Sequence, residues 1–447
     1  MSSRETAVRV ARKLTAAGFR SLFAGGCVRD LLLGTDPHDF DIATDARPEQ
    51  VQALFRRTVA VGAQFGVVRV LEDDEEFEVA TFRSDGAYVD GRHPESVVFS
   101  SPEEDARRRD FTINGLFMIP ETGEILDFVG GREDLGNRIV RAIGDPSQRF
   151  AEDRLRILRA VRFGSRLDFP IEARTWDAVR AFAPQIHQVS AERVRDELLR
   201  ILCGSHRVAG FDLLDRSGLL REILPEVDQL KGCEQPPQFH PEGDVFVHTR
   251  LMLELLPPET SDVLVLGVLF HDIGKPATFE IDETGRIRFN GHEMVSVELA
   301  AKILRRLRFS NETSEAVLDL VRYHMAFKDV QQMRLATLKR FLARPTMDDE
   351  LELHRVDCTS SHGMLDNWEF LKTKREEFAN EPLIPAAFVN GDDLIALGLK
   401  PGPAFKEILE RAMTRQLEGE FPDRDAAVRW LESHVRGEGI EPPTNSV

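Results

Sequence analysis

Residues 24–44 read AGGCVRDLLLGTDPHDFDIAT, and this stretch decides how the first part of the chain folds. Asp39 and Asp41 alternate with two apolar residues near its end. In a strand, that alternation places both carboxylates on one face and the apolar side chains on the other. Carboxylate oxygens are the hard ligands that magnesium prefers, so the pair predicts a strand that presents a divalent-metal site.

The residues upstream of the two aspartates are suited to holding phosphate. Gly25 and Gly26 allow the backbone to approach a ligand closely, and Arg29, in the turn that follows, offers a guanidinium to neutralise phosphate charge. Pro37 and His38 break the chain just before the carboxylates, which is typical of a turn that delivers a strand to a cleft. The stretch therefore predicts a site for a nucleoside triphosphate.

Taken singly, these features have structural explanations, because two acids at positions i and i+2 usually mark a solvated strand face. In the order GGxVRD, apolar helix, G, DxDxxT, they resemble the class II nucleotidyltransferases, which comprise the bacterial CCA-adding enzymes and poly(A) polymerases. The resemblance implies a polymerase β-like head in which Asp39 and Asp41 bind two Mg²⁺ ions for nucleotidyl transfer. It also implies that Gly25, Gly26 and Arg29 hold the triphosphate.

The composition limits the class of protein. With 447 residues the chain should form three or four domains, and its net charge of -18 excludes a uniformly basic nucleic-acid coat. The 4 cysteines lack CxxC spacing, so neither a zinc knuckle nor a disulfide framework is predicted, and a reducing compartment fits. The N-terminus lacks a signal-peptide pattern and no apolar run approaches ~20 residues. We therefore expect a cytoplasmic protein without a membrane partner.

The segments around the opening stretch predict a mixed α/β domain. Residues 4–17 have helical apolar spacing, and FGVVRVLE and EFEVATFR alternate as strands around an acidic turn. Glu78, on the second strand, is a candidate third carboxylate beside Asp39 and Asp41, or a solvated strand residue. Residues 84–97 are rich in glycine and charge and predict a mobile loop over the cleft. In the resembled family, a complete loop at this place favours addition of the full CCA.

Residues 106–118, ARRRDFTINGLFM, form the next candidate nucleotide-binding segment. Arg109 offers a guanidinium fork to a triphosphate, while Asp110 and Asn114, one helical turn apart, can bond ribose hydroxyls. A basic cluster on a loop can equally be solvated without a ligand. The segment resembles the family's RRDFTINA motif, with Gly115 in place of alanine, which implies nucleotide-binding roles for these three residues.

A basic island follows in an otherwise acidic chain. Eight arginines and four acidic residues lie between Arg138 and Asp168. The part that reads RFAEDRLRILRAVRFGSRLDF is predicted to form one basic helix with a partial apolar stripe. Such a helix could contact an RNA backbone, or its charged face could simply be solvated.

The spacing within this helix is more informative than its charge. Asp153 and Arg156 lie three apart, which predicts that they stack on one helix face, with Glu152 bracing Arg156. Because cytosine and adenine both present an exocyclic amine beside a ring-nitrogen acceptor, one such pair could accept both bases and refuse guanine and uracil. The segment matches the family's EDxxR motif, in which side chains serve as the template. Arg159, one turn further along, is a further candidate nucleotide-binding residue.

A second group of candidate metal ligands follows the proline-rich segment EQPPQFHPEGD. The group consists of imidazoles and carboxylates on predicted helices, and its members are His248, His271, Asp272, His292, His324 and Asp357. A lone helical histidine is usually structural, but six such residues can converge on one or two divalent ions in a helical bundle.

The hexapeptide HDIGKP, together with the upstream HPEGDVFVHT, resembles the HD phosphohydrolase domain. The resemblance implies a second divalent metal, Mg, Mn or Ni, that activates water to attack a phosphoester. Substrates of that kind include 2′,3′-cyclic or 3′-phosphorylated RNA ends. A purely structural role for the domain stays open.

The fold class predicted is an α/β nucleotidyltransferase head followed by all-α neck, HD and tail domains. The expected boundaries are 1–140 for the head, 141–235 for the neck and RNA-binding region, 236–360 for the HD domain and 361–447 for the tail. The resemblance implies template-independent addition of CCA to the 3′ end of tRNA from CTP and ATP. The oligomeric state is left open.

Three alternatives share parts of this pattern. A poly(A) polymerase, or an enzyme that adds only CC or only A, would carry the same head motifs. A metal-dependent HD phosphohydrolase acting on RNA ends would use the first half of the chain merely to bind RNA. A tRNA-binding scaffold is disfavoured by the paired carboxylates Asp39 and Asp41.

Overall fold

The computed structural model describes residues 2–59, 66–85, 97–238 and 240–437. The chain forms two compact units. The first, unit 1, contains Met1–Gln229, Pro257–Thr260 and Lys302–Ser310, and the second, unit 2, contains Leu230–Leu256, Ser261–Ala301 and Asn311–Val447. Each unit is described by itself.

A mixed sheet forms the centre of the head in unit 1. The strands of unit 1 are β1 (Ser21–Ala24), β2 (Ile42–Thr44), β3 (Thr58–Val59), β4 (Val67–Glu72), β5 (Glu75–Thr81), β6 (Arg83–Asp85), β7 (Val97–Phe99), β8 (Leu116–Met118) and β9 (Ile125–Asp127). Seven of them form one sheet in the order β3-β4-β5-β2-β1-β8-β9, and β6 pairs with β7. Only β2 and β5 are parallel in this sheet. The predicted α/β head is confirmed.

The helices of unit 1 flank this sheet and continue into the neck. They are α1 (Ser3–Ala16), α2 (Gly26–Leu32), α3 (Pro48–Leu54), α4 (Pro102–Arg107), α5 (Gly131–Gly136), α6 (Pro146–Glu152), α7 (Leu155–Leu167), α8 (Ala173–Phe182), α9 (Ala191–Leu202), α10 (Arg207–Ser217), α11 (Leu219–Ile223) and α12 (Pro225–Asp228). In the neck, α7 packs against α9 and α10, because apolar residues fill the faces between them.

The single basic helix predicted across residues 149–169 is wrong. The helix breaks between α6 and α7, where Asp153 has the extended torsion angles φ -143° and ψ 108°. The Asp153 carboxylate accepts a hydrogen bond from the Leu155 amide at 3.0 Å, which satisfies one of the free donors at the start of α7. Asp153 therefore precedes the helix and does not stack with Arg156 on one helix face.

Unit 2 is almost entirely helical. Its elements are α13 (Val245–Leu255), α14 (Asp262–Phe270), the hairpin of β10 (Glu280–Ile281) and β11 (Ile287–Arg288), the part of α15 (His292–Arg306) up to Ala301, α16 (Asn311–Tyr323), α17 (Leu335–Leu342), α18 (Met347–Ser360), α19 (Asp366–Glu377), α20 (Gly391–Ala396), α21 (Pro403–Leu417) and α22 (Arg424–Gly437). Helix α14 is central because it is apolar on all sides and packs against α13, α16 and α18. At Gly267 a Cβ would lie 2.6 Å from Leu320, so α14 and α16 approach closely there.

In the described part of the chain, no helix combines the length and the apolar character that a bilayer crossing requires. The predicted loop over residues 84–97 lies mostly outside the described residues, since only its first and last residues belong to β6 and β7.

Candidate functional sites

The two aspartates of the opening stretch lie immediately before β2. The Asp41 carbonyl accepts a hydrogen bond from the Ala24 amide at 3.0 Å, which extends the pairing of β1 with β2 by one residue. Phe40 and Ile42 are buried, whereas Asp39 and Asp41 are exposed. The alternation of polar and apolar faces predicted from the sequence is therefore present, although the strand itself begins one residue later.

Glu78 lies beside this pair. In the parallel pairing of β2 with β5, Ile42 is opposite Val79, so the preceding residues Asp41 and Glu78 lie next to each other on the opposite, solvent-exposed face. Although Asp41 keeps access to water, desolvation by the surrounding protein, followed by the charges of Glu78 and Asp39, raises the pKa of Asp41 to about 6, against the opposing effect of Arg109. The structure thus brings together the three carboxylates predicted to bind metal.

The three carboxylates do not form a closed cage. Among the residues that the structure describes, every group of three or more candidate ligands with donor atoms within 4.8 Å of one another lies in unit 2. After desolvation, the like charges of Glu78 and Asp39 contribute to the raised pKa of Asp41, so the carboxylates at this edge repel one another. Such an edge can bind a divalent cation together with oxygen atoms supplied by a substrate.

The glycine turn lies next to Arg109. Gly25 has φ +72°, and a Cβ at this position would lie 2.7 Å from Nη1 of Arg109. The guanidinium donates hydrogen bonds to the Asp105 carboxylate at 3.1 and 3.2 Å and to the Asn114 carbonyl at 3.3 Å. Glycine at position 25 therefore allows Arg109 to lie against the turn predicted to hold phosphate.

Arg29 is buried and has protein partners. Its Nη1 donates to Oδ1 of Asn114 at 2.6 Å, and its Nε donates to Asp30 at 2.8 Å. Burial lowers the pKa of Arg29, and the ion pair with Asp30 opposes that change. The guanidinium of Arg29 thus holds the side chains of Asn114 and Asp30 in place. Its contact with a triphosphate stays a prediction.

Asp110 joins the head to the neck. Its Oδ1 accepts from Nδ2 of Asn114 at 3.1 Å, and its Oδ2 accepts from Nε of Arg159 at 2.7 Å. Burial alone would raise the pKa of Asp110, but Arg159 and Asn114 outweigh it and lower the pKa to about 2. The candidate residues Arg29, Asn114, Asp110 and Arg159 therefore form one continuous buried network.

The network continues to a residue that the sequence did not indicate. Glu197, on α9, is 3% exposed and accepts from Nε of Arg162 at 2.7 Å, while Arg159 lies 3.9 Å away. Burial lowers the pKa of Arg162 to about 10, although Glu197 acts to raise it. A buried acid on an otherwise amphipathic helix is the signal that could have identified Glu197.

Asp153 and Arg156, the predicted base-recognition pair, have separate partners. Asp153 accepts from Arg193 at 2.8 Å. Arg156 donates to Glu152 at 2.7 Å, as predicted, and to the Arg108 carbonyl at 3.0 Å. Both side chains are thus fixed in place by neighbouring groups, and their role in base recognition stays a prediction.

In unit 2 the six predicted ligands converge. Asp272 lies at the centre, with its oxygens 3.1 Å from Nε2 of His271 and 3.2 Å from Nε2 of His292. The Nε2 atoms of His324 and His292 are 3.1 Å apart, and Nε2 of His248 lies 3.0 Å from Oδ1 of Asp357. We call these six residues the histidine cluster.

The histidine cluster is suited to a divalent metal. In the described part of the chain, the buried Nε2 atoms of His248 and His271 have no hydrogen-bond partner, although each is close to a carboxylate. The donor set of four imidazoles and two carboxylates is typical of zinc, nickel, manganese and iron sites. Burial and two neighbouring imidazoles lower the pKa of His324 to about 3, so this imidazole is neutral at pH 7, the form that binds metal.

Two groups next to the histidine cluster were missed at the sequence level. Lys275, in the fourth position after His271, donates to Asp272 at 2.6 Å and to Gln235 at 2.6 Å. Glu242 and His240 lie on the other side, against His248. The spacing H-x-E in HPEGD, with Glu242 six residues before His248 and His240 eight, is the signal that could have identified Glu242 and His240.

Comparisons with known proteins agree with this geometry. Residues 21–141 match the Poly A polymerase head domain, residues 168–231 match the probable RNA and SrmB-binding site of polymerase A, and residues 243–357 match the HD domain. The fold and the sites therefore define a nucleotidyltransferase head with a helical RNA-binding neck and an HD domain. Domains of these two kinds depend on divalent metal ions.

The relatives make the assignment more specific. The chain is 32% identical over 410 residues to the CCA-adding enzyme of Ligilactobacillus salivarius, covering 91% of this chain and 90% of the relative. It is 31% identical over 431 residues to that of Levilactobacillus brevis, covering 95% and 96%. The chain belongs to the family of CCA-adding enzymes.

Other matches are shorter or structural. The CCA-adding enzyme of Enterococcus faecalis is 47% identical over 205 residues, which cover 46% of this chain and 50% of the relative. In that match and in two with Limosilactobacillus reuteri, the chain spans about half the length of the curated relative. The crystal structure of the Bacillus stearothermophilus CCA-adding enzyme in complex with CTP has a TM-score of 0.74 at 27% identity, covering 98% of this chain and 99% of that chain.

Proposed function

We propose that this protein adds CCA to the 3′ end of tRNA, using CTP and ATP and no nucleic-acid template. The observation that carries the proposal is the carboxylate edge of the head sheet, where Asp39, Asp41 and Glu78 adjoin the Gly25 turn and Arg109. Two relatives support the proposal, because they match over most of the chain and are named CCA-adding enzymes. A similar solved structure of a CCA-adding enzyme contains CTP. A cytoplasmic location belongs to the same proposal, because tRNA, CTP and ATP are present there.

In the proposed site, Asp39 and Asp41 hold Mg²⁺, and Glu78 adds negative charge beside them. When bound, Mg²⁺ supplies Lewis-acid activation of the 3′-hydroxyl of the primer and neutralises charge on the leaving pyrophosphate. Gly25 and Gly26 let the triphosphate approach the backbone. Those roles require exposed carboxylates and a close backbone turn, and both are present.

Some of the neighbouring side chains are proposed to bind the nucleotide, and others to hold those side chains in position. Arg109 retains some exposure and is proposed to bind the triphosphate, while Asp110 is proposed to bind the ribose. Arg29, Asn114 and Arg159 hold Asp110 through the buried network, so we assign them chiefly to positioning.

Recognition of the base is assigned to Asp153 and Arg156. The carboxylate of Asp153 keeps an oxygen next to Arg193, and the Arg156 guanidinium is held by Glu152 and the Arg108 carbonyl. Because both groups are fixed by protein groups and not by RNA, the same acceptor and donors meet each incoming base. Such a fixed pair suits cytosine and adenine, whose edges share one pattern of donor and acceptor.

The domain boundaries at 1–140, 141–235, 236–360 and 361–447 are part of the proposal. Three observations support them: the head match ends at residue 141, the RNA-binding match ends at 231, and the HD match ends at 357. The boundary between the two compact units, at Gln229 and Leu230, lies near residue 236, where the proposed HD domain begins.

Analysis of the products formed with each NTP tests this proposal. Purified protein is incubated with tRNA that lacks CCA, with CTP, with ATP and with both, and the 3′ ends are sequenced. We expect two cytidines with CTP alone and the full CCA with both nucleotides. Long homopolymeric A tails would instead assign the protein as a poly(A) polymerase, and a product that stops at CC would assign a narrower enzyme.

The histidine cluster favours a second function, hydrolysis of phosphoesters at RNA ends. Its buried and unpartnered Nε2 atoms, together with Asp272 and Lys275, suit a divalent metal that activates water beside a cation that binds phosphate. We expect RNA with a 2′,3′-cyclic phosphate to be opened by the intact protein with Mg²⁺, Mn²⁺ or Ni²⁺. If His271→Ala hydrolysed this RNA as fast as the unaltered protein, the cluster would not be the hydrolytic site.

A further inference from the structure

One histidine of the cluster is oriented differently from the other three. In His271, His292 and His324, Nδ1 lies 2.8, 2.8 and 2.6 Å from the carbonyl oxygen of the residue three positions earlier. A ring that donates from Nδ1 to a backbone carbonyl is held in one tautomer, and its Nε2 lone pair then points to the ligand site. His248 lacks such a backbone contact among the described residues.

The local sequence explains the difference. The carbonyl three positions before His248 belongs to Val245, and it accepts a hydrogen bond from the hydroxyl of Thr249 at 2.9 Å. Nδ1 of His248 lies instead 2.8 Å from Oε1 of Glu242, in the loop before α13. On the other side of the ring, Nε2 lies 3.0 Å from Asp357 and faces the cluster.

Glu242 is held firmly in this position. Its side chain is only 5% exposed, and the same Oε1 is 2.9 Å from Nδ1 of His240. The His240 ring packs edge-on against His248, with 5.1 Å between the ring centroids. The second oxygen, Oε2, is buried and has no hydrogen-bond partner among the described residues. A carboxylate is costly to bury, and its contact with a metal-site histidine gives a reason for its presence.

We propose that Glu242 is a positioning residue of the metal centre: it accepts the Nδ1 proton of His248 and so directs the Nε2 lone pair at the metal. The inference rests on the proposed metal site. A carboxylate partner fixes the ring orientation and makes the imidazole a more basic ligand than a carbonyl partner does. Among the four histidines of the cluster, His248 is the one whose Nδ1 faces a carboxylate and not a backbone carbonyl.

Two neighbouring groups could compete for this role. The hydroxyl of Ser360 lies 3.4 Å from Nδ1 of His248, a longer contact than that of Glu242. Glu242 could also bind metal directly, since His240, Glu242 and His248 have ligand atoms within 4.8 Å of one another. In His248, Nδ1 faces Glu242 and Nε2 faces Asp357. A ring that donates from Nδ1 can coordinate a metal only through Nε2, so this orientation favours Glu242 as a positioning residue.

The test uses the full chain and Co²⁺ as the probe. The variants are Glu242→Ala, Glu242→Gln, which keeps an acceptor but loses the charge, and the matched control Ser360→Ala. His271→Ala defines binding that does not involve the cluster. The Kd for Co²⁺, its stoichiometry, the visible absorption spectrum and the ring ¹⁵N signals of His248 are measured, and unfolding in EDTA checks the fold of each variant.

We expect Glu242→Ala to weaken Co²⁺ binding by about 10- to 100-fold, with Glu242→Gln between it and the unaltered protein. In both variants the His248 ring signals should change from one tautomer to a mixture, while Ser360→Ala keeps the original Kd and signals. If Glu242→Ala fails to fold, Glu242→Gln, which has the same shape, still decides the question.

Each other outcome is informative. Equal Co²⁺ binding by His271→Ala and the unaltered protein would refute the metal site and, with it, the role of Glu242. Normal Kd and His248 signals in both Glu242 variants would refute the positioning role alone. The loss of a whole equivalent of Co²⁺ in Glu242→Gln, with the remaining affinity unchanged, would make Glu242 a direct ligand and would also overturn the inference.

Discussion

The carboxylate edge of the head and the histidine cluster of unit 2 are two proposed metal sites of opposite character. The edge consists of exposed carboxylates at the end of a sheet, and its members repel one another. The cluster consists of five buried residues and the half-buried Asp357, and their donor atoms lie within 4.8 Å of one another in two groups of three. Exposed oxygen ligands suit a metal that arrives with a nucleotide, whereas a buried nitrogen and oxygen set suits a resident metal.

The two sites also differ in how much they depend on other parts of the chain. The proposed edge site also uses Asp153 and Arg156 of the neck for base recognition, and Asp110 is held by Arg159 of α7. The histidine cluster takes its six ligands from the helices and turns of one bundle. Nucleotidyl transfer as proposed therefore uses both head and neck, while the metal binding proposed for the cluster uses residues of its own bundle alone.

The largest effect is expected when the ligands of the carboxylate edge and of the histidine cluster are mutated in separate variants. We expect Asp39→Ala combined with Asp41→Ala to lower nucleotide incorporation by about 1,000-fold or more, because losing even one preorganised electrostatic group costs about 100- to 1,000-fold. The matched variant His271→Ala should incorporate nucleotides normally. Incorporation is measured with labelled CTP on tRNA that lacks CCA. Persistent incorporation in the double variant would refute the assigned role of the carboxylates.

A second prediction concerns the dependence of the edge on the neck. Arg156→Lys keeps the positive charge but removes the guanidinium fork. We expect the preference for CTP and ATP over UTP and GTP to fall by about 10- to 100-fold, the range for one good pair of base contacts. Arg154→Lys, in the adjacent position, is the control. Rates with each of the four nucleotides check the prediction, and an unchanged preference would remove Arg156 from base recognition.

A third prediction separates resident from transient metal. Metal that binds only the native state at 100 times its Kd should raise the free energy of unfolding by about 2.7 kcal/mol. We expect Mn²⁺ or Ni²⁺ to produce this gain in the unaltered protein and in Asp41→Asn, and EDTA to reverse it. His271→Ala should lack it. Thermal unfolding monitored on unit 2 provides the measurement, and an equal gain in His271→Ala would place the stabilising metal elsewhere.

The smallest effect is a pH-dependent gain in stability. Since the pKa of Asp41 is raised to about 6 in the folded protein, its ionisation opposes folding. Asp41 therefore contributes no penalty below its unfolded pKa of about 4, and the penalty grows as the pH rises through about 6. Asp41→Asn should be more stable by about 0.5 kcal/mol at pH 8, a small value because the group is exposed and screened.

The measurement for Asp41→Asn is thermal unfolding in EDTA between pH 4 and pH 8. The difference from the unaltered protein should vanish towards pH 4, while the histidine cluster titrates equally in both proteins and cancels. A variant that is less stable at pH 8 would show that the edge carboxylates do not repel one another. In the same range, Mg²⁺-dependent incorporation by the unaltered protein should fall below pH 6 as Asp41 takes up a proton.

Much of the site could be predicted because its residues lie in short local patterns. Asp39 and Asp41 share a face through strand alternation, and the Glu152 to Arg156 ion pair follows from helical spacing. The break at Asp153 was missed because the apolar spacing runs on across it. At this break the backbone of Asp153 is extended, and its carboxylate accepts a hydrogen bond from the Leu155 amide at the start of α7.

The remaining groups could not be predicted, because their partners are distant in the sequence. Glu197 meets Arg162 over 35 residues, and Lys275 meets Gln235 over 40. Burial makes these pairs necessary, since a charge taken out of water needs a partner. Burial depends on how helices pack, which no local spacing specifies.

The sequence by itself determined the α/β head and the helical remainder and indicated two sets of candidate ligand residues, because alternation, helical spacing and short motifs are local properties of the chain. The tertiary structure alone decided which oxygens and nitrogens lie together, which carboxylate orients His248, and that Arg29 is committed to Asn114 and Asp30. The physical reason is that distance and desolvation set electrostatic energies, and both are fixed only when separate segments pack.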